Sequence, residues 1–178
     1  MIRRLSFLLV PCCLLYGCAE PNMNTSNGAT PPPAPDMGTA VLLKSAEGRF
    51  VSCELGAEGA AKNMLVADRS AAGDWERFTL FTKADGRIML KAANGMYLCA
   101  DDHRGDTLVA DRKDPGDWES FTLEPQEGGA VALKTHEGRY VAADLDPGAK
   151  HHGRLVGDRP QAGEWERFTI VPDTTRKP

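Results

Sequence analysis

The chain has 178 residues and a formal charge of −4 at pH 7. That length suits one domain of ordinary size behind a leader, and the absence of any basic run excludes nucleic acid as a partner. Its 18 glycines and 12 prolines favour turns over long helices.

Residues 1–17 open with Arg3-Arg4 and continue as an apolar run, LSFLLVPCCLLY. The run is too short to span a bilayer as a helix and has the form of a secretory signal. It ends in Leu15-Tyr16-Gly17-Cys18, which resembles the bacterial lipobox. The resemblance implies cleavage before Cys18 and acylation of its sulfur. With Ala19 rather than an aspartate next, it implies the outer membrane of a bacterial envelope. Each buried CH₂ of an acyl chain contributes about 0.8 kcal/mol, so several chains anchor stably. Residues 18–38 are rich in proline and poor in apolar residues, including Pro31-Pro32-Pro33. Such a stretch cannot bury a core and reads as a stiff tether.

From Thr39 the same four short apolar runs occur three times. Val41-Leu42-Leu43-Lys44 matches Ile88-Met89-Leu90-Lys91 and Val131-Ala132-Leu133-Lys134. A turn follows, closing at Gly48, Gly95 or Gly138, where a hairpin with a positive φ is predicted. The second run is Arg49-Phe50-Val51 and its copies at 96–98 and 139–141. The third is Leu-Val-Ala/Gly-Asp-Arg, beginning at Leu65, Leu108 and Leu155. The fourth is Phe-Thr-Leu/Ile, beginning at Phe78, Phe121 and Phe168. Short runs of β-branched and aromatic residues between Gly, Pro and Asp read as strands. One four-stranded unit cannot bury its own apolar face, and closing three into a barrel removes the exposed edges. The expected fold is therefore an all-β β-trefoil of three four-stranded repeats over residues 39–172, with 173–178 as a tail.

The three copies can be compared with one another. The step from hairpin glycine to the third run is seventeen, thirteen and seventeen residues, so length variation falls between the second and third strands. Loops that vary on a constant scaffold are where recognition is expected. Ten aromatic residues follow Cys18, and nine form three symmetric sets: Trp75/Trp118/Trp165, Phe78/Phe121/Phe168 and Phe50/Tyr97/Tyr140. All three sets are expected in the core, leaving Phe81 outside and no rings for a stacking surface. The repeated Asp-Arg pairs and the repeated Glu76, Glu119 and Glu166 read as clamps holding the loop before each tryptophan. Asp74, Asp117 and Glu164 are expected to bond backbone amides of the same turn. Cys53 aligns with Ala100 and Cys99 with Ser52, so the two cysteines read as unbridged, partly buried thiols.

Leu-Lys-x-x-x-Gly-x-Tyr, Leu-Val-Ala-Asp-Arg and Gly-x-Trp-Glu-x-Phe together resemble the fascin-like β-trefoil domains of the actin-crosslinking superfamily. The resemblance covers residues 39–172. It implies a binding module and names no ligand.

No Gly-x-Ser-x-Gly, phosphate-loop or His-Glu-x-x-His motif occurs. Enzymatic activity, cofactor and metal are therefore not expected. His151 and His152 read as solvated loop residues rather than ligands. The expectation is a monomeric, non-enzymatic, lipid-anchored module that binds a glycan or an envelope protein. A structural scaffold of the actin-crosslinking type is the alternative. Binding is assigned to the variable loops 54–63, 101–106 and 144–153. The candidate contacts are Asp101, His103, Arg104, Asp144, Asp146, His151 and His152.

Overall fold

Among the described residues, twelve strands follow one another in the order the repeats require, four to each unit. The structure is a computed structural model and describes residues 38–146, 148 and 152–175. The signal at 1–17, Cys18, the tether up to residue 37, His151 and the tail at 176–178 lie outside the described residues. The first unit holds β1 (Thr39–Lys44), β2 (Phe50–Cys53), β3 (Leu65–Arg69) and β4 (Arg77–Thr82). The second holds β5 (Ile88–Lys91), β6 (Tyr97–Asp101), β7 (Thr107–Arg112) and β8 (Ser120–Pro125). The third holds β9 (Val131–Lys134), β10 (Tyr140–Ala143), β11 (Leu155–Arg159) and β12 (Thr169–Pro172).

The first and fourth strand of each unit build the barrel. Going round, β1 pairs with β4, β4 with β5, β5 with β8 and β8 with β9. The seam closes through the bridge Val131↔Phe168 and through β12 against β1. Registers repeat with the units: Val41↔Phe78, Ile88↔Phe121 and Val131↔Phe168 are equivalent pairs. Alternation of side chains along each strand sends Val41 and Leu43 inward and leaves Leu42 half exposed. Phe78, Phe121 and Phe168 fill the barrel with Leu43, Leu90 and Leu133, all buried. Full burial of one such side chain contributes about 1.5–3 kcal/mol.

The remaining strands form three hairpins, β2–β3, β6–β7 and β10–β11, that cap the barrel. Their loops lock to one another in a ring. Asn63 carbonyl accepts from Ala110 N–H at 2.9 Å, Asp106 from Gly157 at 2.7 Å, and Gly153 from Ala67 at 2.7 Å. Asn63, Asp106 and Gly153 all have positive φ. At Gly153 a Cβ would stand 2.9 Å from the Ala67 carbonyl oxygen, so glycine is needed there for space as well as for φ. The tight turns closing at Gly48, Gly95 and Gly138 also have positive φ.

The aromatic expectation requires a correction. Trp75, Trp118 and Trp165 are not core residues: they are 40%, 42% and 38% exposed. Each stands in the turn before the barrel strand rather than on it, three residues ahead of the buried phenylalanine. Phe50, Tyr97 and Tyr140 are half-buried, each with a lysine ammonium over its ring: Lys44 at 4.5 Å, Lys91 at 4.9 Å and Lys134 at 4.9 Å.

Candidate functional site

The turn that presents each tryptophan is built from its neighbours. Glu76, Glu119 and Glu166 are buried, at 5%, 5% and 7% exposure. Each turns one carboxylate oxygen back onto the turn. Gly73 N–H donates to Glu76 Oε2 at 2.5 Å, Gly116 to Glu119 at 2.6 Å and Gly163 to Glu166 at 2.6 Å. The other oxygen faces the arginine of the Asp-Arg pair, at 3.8, 3.8 and 4.0 Å for Arg69, Arg112 and Arg159. Among the described residues, no turn amide bonds the side chain of Asp74, Asp117 or Glu164. The carbonyls of Asp74, Asp117 and Glu164 close the turn instead, and the Asp74 and Asp117 carboxylates pair with Arg77 and Arg87. The carboxylate that holds the turn is therefore the one after the tryptophan, not the one before it.

Around Trp118 these parts enclose a depression of ≈ 280 Å³ lined by Asp101, Asp102, His103, Arg112, Trp118 and Glu119. Asp101 is buried at the end of β6 and accepts from His103 N–H at 3.1 Å. Its carboxylate also faces Arg104 at 3.4 Å and Arg112 at 3.7 Å. Asp101 is thus committed to fixing two guanidinium groups, whereas His103 is open to solvent. Arg112 is held between Asp101, Asp111 and Glu119. Trp118 stacks at a tilt on His136, with ring centres 5.7 Å apart. The first unit repeats the plan in a shallower hollow of ≈ 500 Å³ around Trp75, Arg69 and Glu76. There the indole lies against Gly56 of the variable loop, where a Cβ would come within 2.9 Å of the ring.

The remaining expected contacts stand apart. Asp144 carbonyl accepts from Gly153 N–H at 2.5 Å, and Asp146 Oδ1 accepts from Gly148 N–H at 2.8 Å. His152 Nδ1 lies 3.2 Å from the Asp146 carbonyl oxygen. Among the described residues, no hydrogen bond or ion pair joins Asp144, Asp146 or His152 to Asp101, His103 or Arg104. Cys53 and Cys99 are free and buried, and burial pushes each thiol up to about 12. Neither is a nucleophile at neutral pH.

The six-stranded barrel, its three-hairpin cap and the threefold registers define a β-trefoil. Among solved structures, a designed three-fold symmetric protein, ThreeFoil, matches with a TM-score of 0.64 at 16% identity over 75% of this chain and 99% of its own. The GlcNAcα1-4Gal releasing endo-β-galactosidase from Clostridium perfringens matches at 0.61 and 14% identity, over 76% of this chain and 32% of its own. The cytolethal distending toxin of Haemophilus ducreyi matches at 0.61 and 18%, over 76% of this chain and 84% of its own. No curated protein matches in sequence. The chain belongs to the family described as "Domain of unknown function (DUF7910)", whose model matches residues 36–150.

Proposed function

We propose that the protein is a non-enzymatic glycan-binding β-trefoil, held at the bacterial cell envelope by a lipid on Cys18. The observation that carries this reading is the exposed Trp118 indole beside a fixed Arg112 in a small polar depression. An indole face offers apolar area for the C–H face of a sugar ring at small entropic cost. Arg112, Asp102 and His103 then stand ready for hydroxyl groups. Trp75 gives a second, equivalent platform, so two or three weak contacts along one glycan would add through effective concentration. The buried glutamates are spent on the turns that carry the rings, which supports binding rather than hydrolysis by a carboxylate pair. The similar fold within a glycan-cleaving enzyme is in keeping with this reading.

A soluble-glycan array probed with the purified protein tests it. Retention of a glycan by the wild type, lost at least tenfold in Trp118→Ala, is expected. No retained glycan, with a specific protein recovered by crosslinking, would overturn the glycan reading in favour of a protein scaffold. For the anchor, Cys18→Ala should leave the protein uncleaved or released. Normal cleavage with unchanged membrane association would refute lipidation.

A further inference from the structure

A second kind of hollow lies between consecutive units, where the turn before a barrel strand meets the next hairpin. The equivalent place recurs at all three junctions with unequal chemistry. Between the first and second units, Asp74, Arg77, Thr79, Lys91 and Thr175 line ≈ 520 Å³. There Arg77 is fully engaged: Asp74 pairs with it, Asp173 stands 3.1 Å away and the Thr175 hydroxyl 3.2 Å away. Between the second and third units, serine replaces that arginine. Ser120 donates to the Gly116 carbonyl at 2.7 Å and accepts from Lys83 at 3.1 Å. Lys134 is bound by Glu124 at 3.1 Å, the Thr135 hydroxyl accepts from Arg139 N–H at 3.2 Å, and His136 lies against Trp118. Lys91 rests on the Tyr97 ring with no carboxylate partner among the described residues, as Lys44 does on Phe50, but both of these copies satisfy the residue at the arginine position.

The third copy does not. Between the third and first units, Lys44, Ser45, Ala130, Glu164, Arg167 and Thr169 line a groove of ≈ 310 Å³. Ser45 is 4% exposed and its hydroxyl has no partner among the described residues. Arg167 Nε is buried and likewise unpartnered, and among the described residues no carboxylate forms an ion pair with Arg167 or with Lys44. The Lys44 ammonium rests on the Phe50 ring, and its strand neighbour across the seam is Thr169. Unpartnered buried donors are costly, and two cations against one unpaired carboxylate at a concave surface favour an anion. The arginine fork suits a planar two-oxygen group. Glu164, at the exposed rim, disfavours a doubly charged ligand and offers an acceptor to a neighbouring hydroxyl.

We infer that this groove is a binding site for the carboxylate of an acidic saccharide, separate from the tryptophan depressions. The saccharide rests on the function proposed above; the carboxylate rests on Ser45, Lys44 and Arg167 alone. The ligand carboxylate would lie across Arg167 and Lys44, with the Ser45 and Thr169 hydroxyls as further donors.

Calorimetric titration of the purified protein with glucuronate, glucose and inorganic phosphate tests the assignment. Glucuronate should bind at least tenfold more tightly than glucose, and more weakly as salt rises. Arg167→Gln and Lys44→Gln should each weaken it about tenfold, and Ser45→Ala severalfold without lowering the melting temperature. Trp118→Ala should leave glucuronate binding unchanged, so loss of the tryptophan site and loss of this one are read separately. Equal binding of glucose and glucuronate, or unchanged affinity in both Arg167→Gln and Lys44→Gln, would overturn the site. Phosphate binding as tightly as glucuronate would overturn the saccharide assignment.

Discussion

Phe121 and Trp118 stand three residues apart, each repeats in all three units, and each is a large aromatic. One is fully buried and the other is 42% exposed. The phenylalanine lies on a barrel strand, opposite Ile88, and its direction is set by the pleat. The tryptophan lies in the turn before that strand, and its direction is set by a carboxylate. Glu119 ties Gly116 N–H and Arg112 together behind it, and the ring is left facing out. Threefold repetition therefore marks equivalence of position. It does not by itself mark burial.

The difference between the two rings can be pressed by substitution. Phe121→Ala should give the largest loss, about 3–5 kcal/mol, because it opens a cavity in the barrel; chemical denaturation measures it. Glu119→Ala should cost about 1–3 kcal/mol by removing the charge-assisted hydrogen bond that ties Gly116 N–H into the turn. It should also weaken glycan retention, since the turn beneath Trp118 loses its tie. Trp118→Ala should cost only about 1 kcal/mol, near the ordinary value for a substitution outside the core. A loss as large as that of Phe121→Ala would put the indole back in the core.

Acid gives the smallest effect on the turn. The hydrogen bond from Arg87 holds the Asp117 carboxyl below the usual range, with the Arg87 charge adding to it. Its folded pKa is depressed, so its stabilising contribution is complete above the unfolded value of about 3.9. The contribution is lost as pH falls through the lower folded value. The melting temperature should fall over that range, and Asp117→Asn should fall less steeply. An equal fall in both would remove Asp117 from the account.

Much of the scaffold is legible in the residues. The four runs become the four strands of each unit, and the hairpin glycines take the positive φ that their turns need. Length variation between units does fall in the β2–β3, β6–β7 and β10–β11 loops. The direction of the tryptophans is not legible, because an inward and an outward ring repeat equally well. A cue exists in Gly56, whose missing side chain leaves room for Trp75, but it is meaningful only once the loop is folded over the ring. The open groove is half legible. Ser120 visibly departs from Arg77 and Arg167 at one equivalent position, and Ser45, Ala92 and Thr135 all differ at another. That Arg77 finds Asp173 and Thr175 while Arg167 finds no such partner among the described residues depends on where the chain runs after β12.

The three tryptophans are the protein's only ones, so its indole fluorescence reports on these positions alone. Acrylamide quenching of the native protein is the most direct test of the central claim, that the repeated tryptophans are a presented surface. The account predicts long-wavelength emission, ready quenching before unfolding, and protection when a retained glycan is added. Short-wavelength emission that resists quenching until the protein unfolds would contradict it.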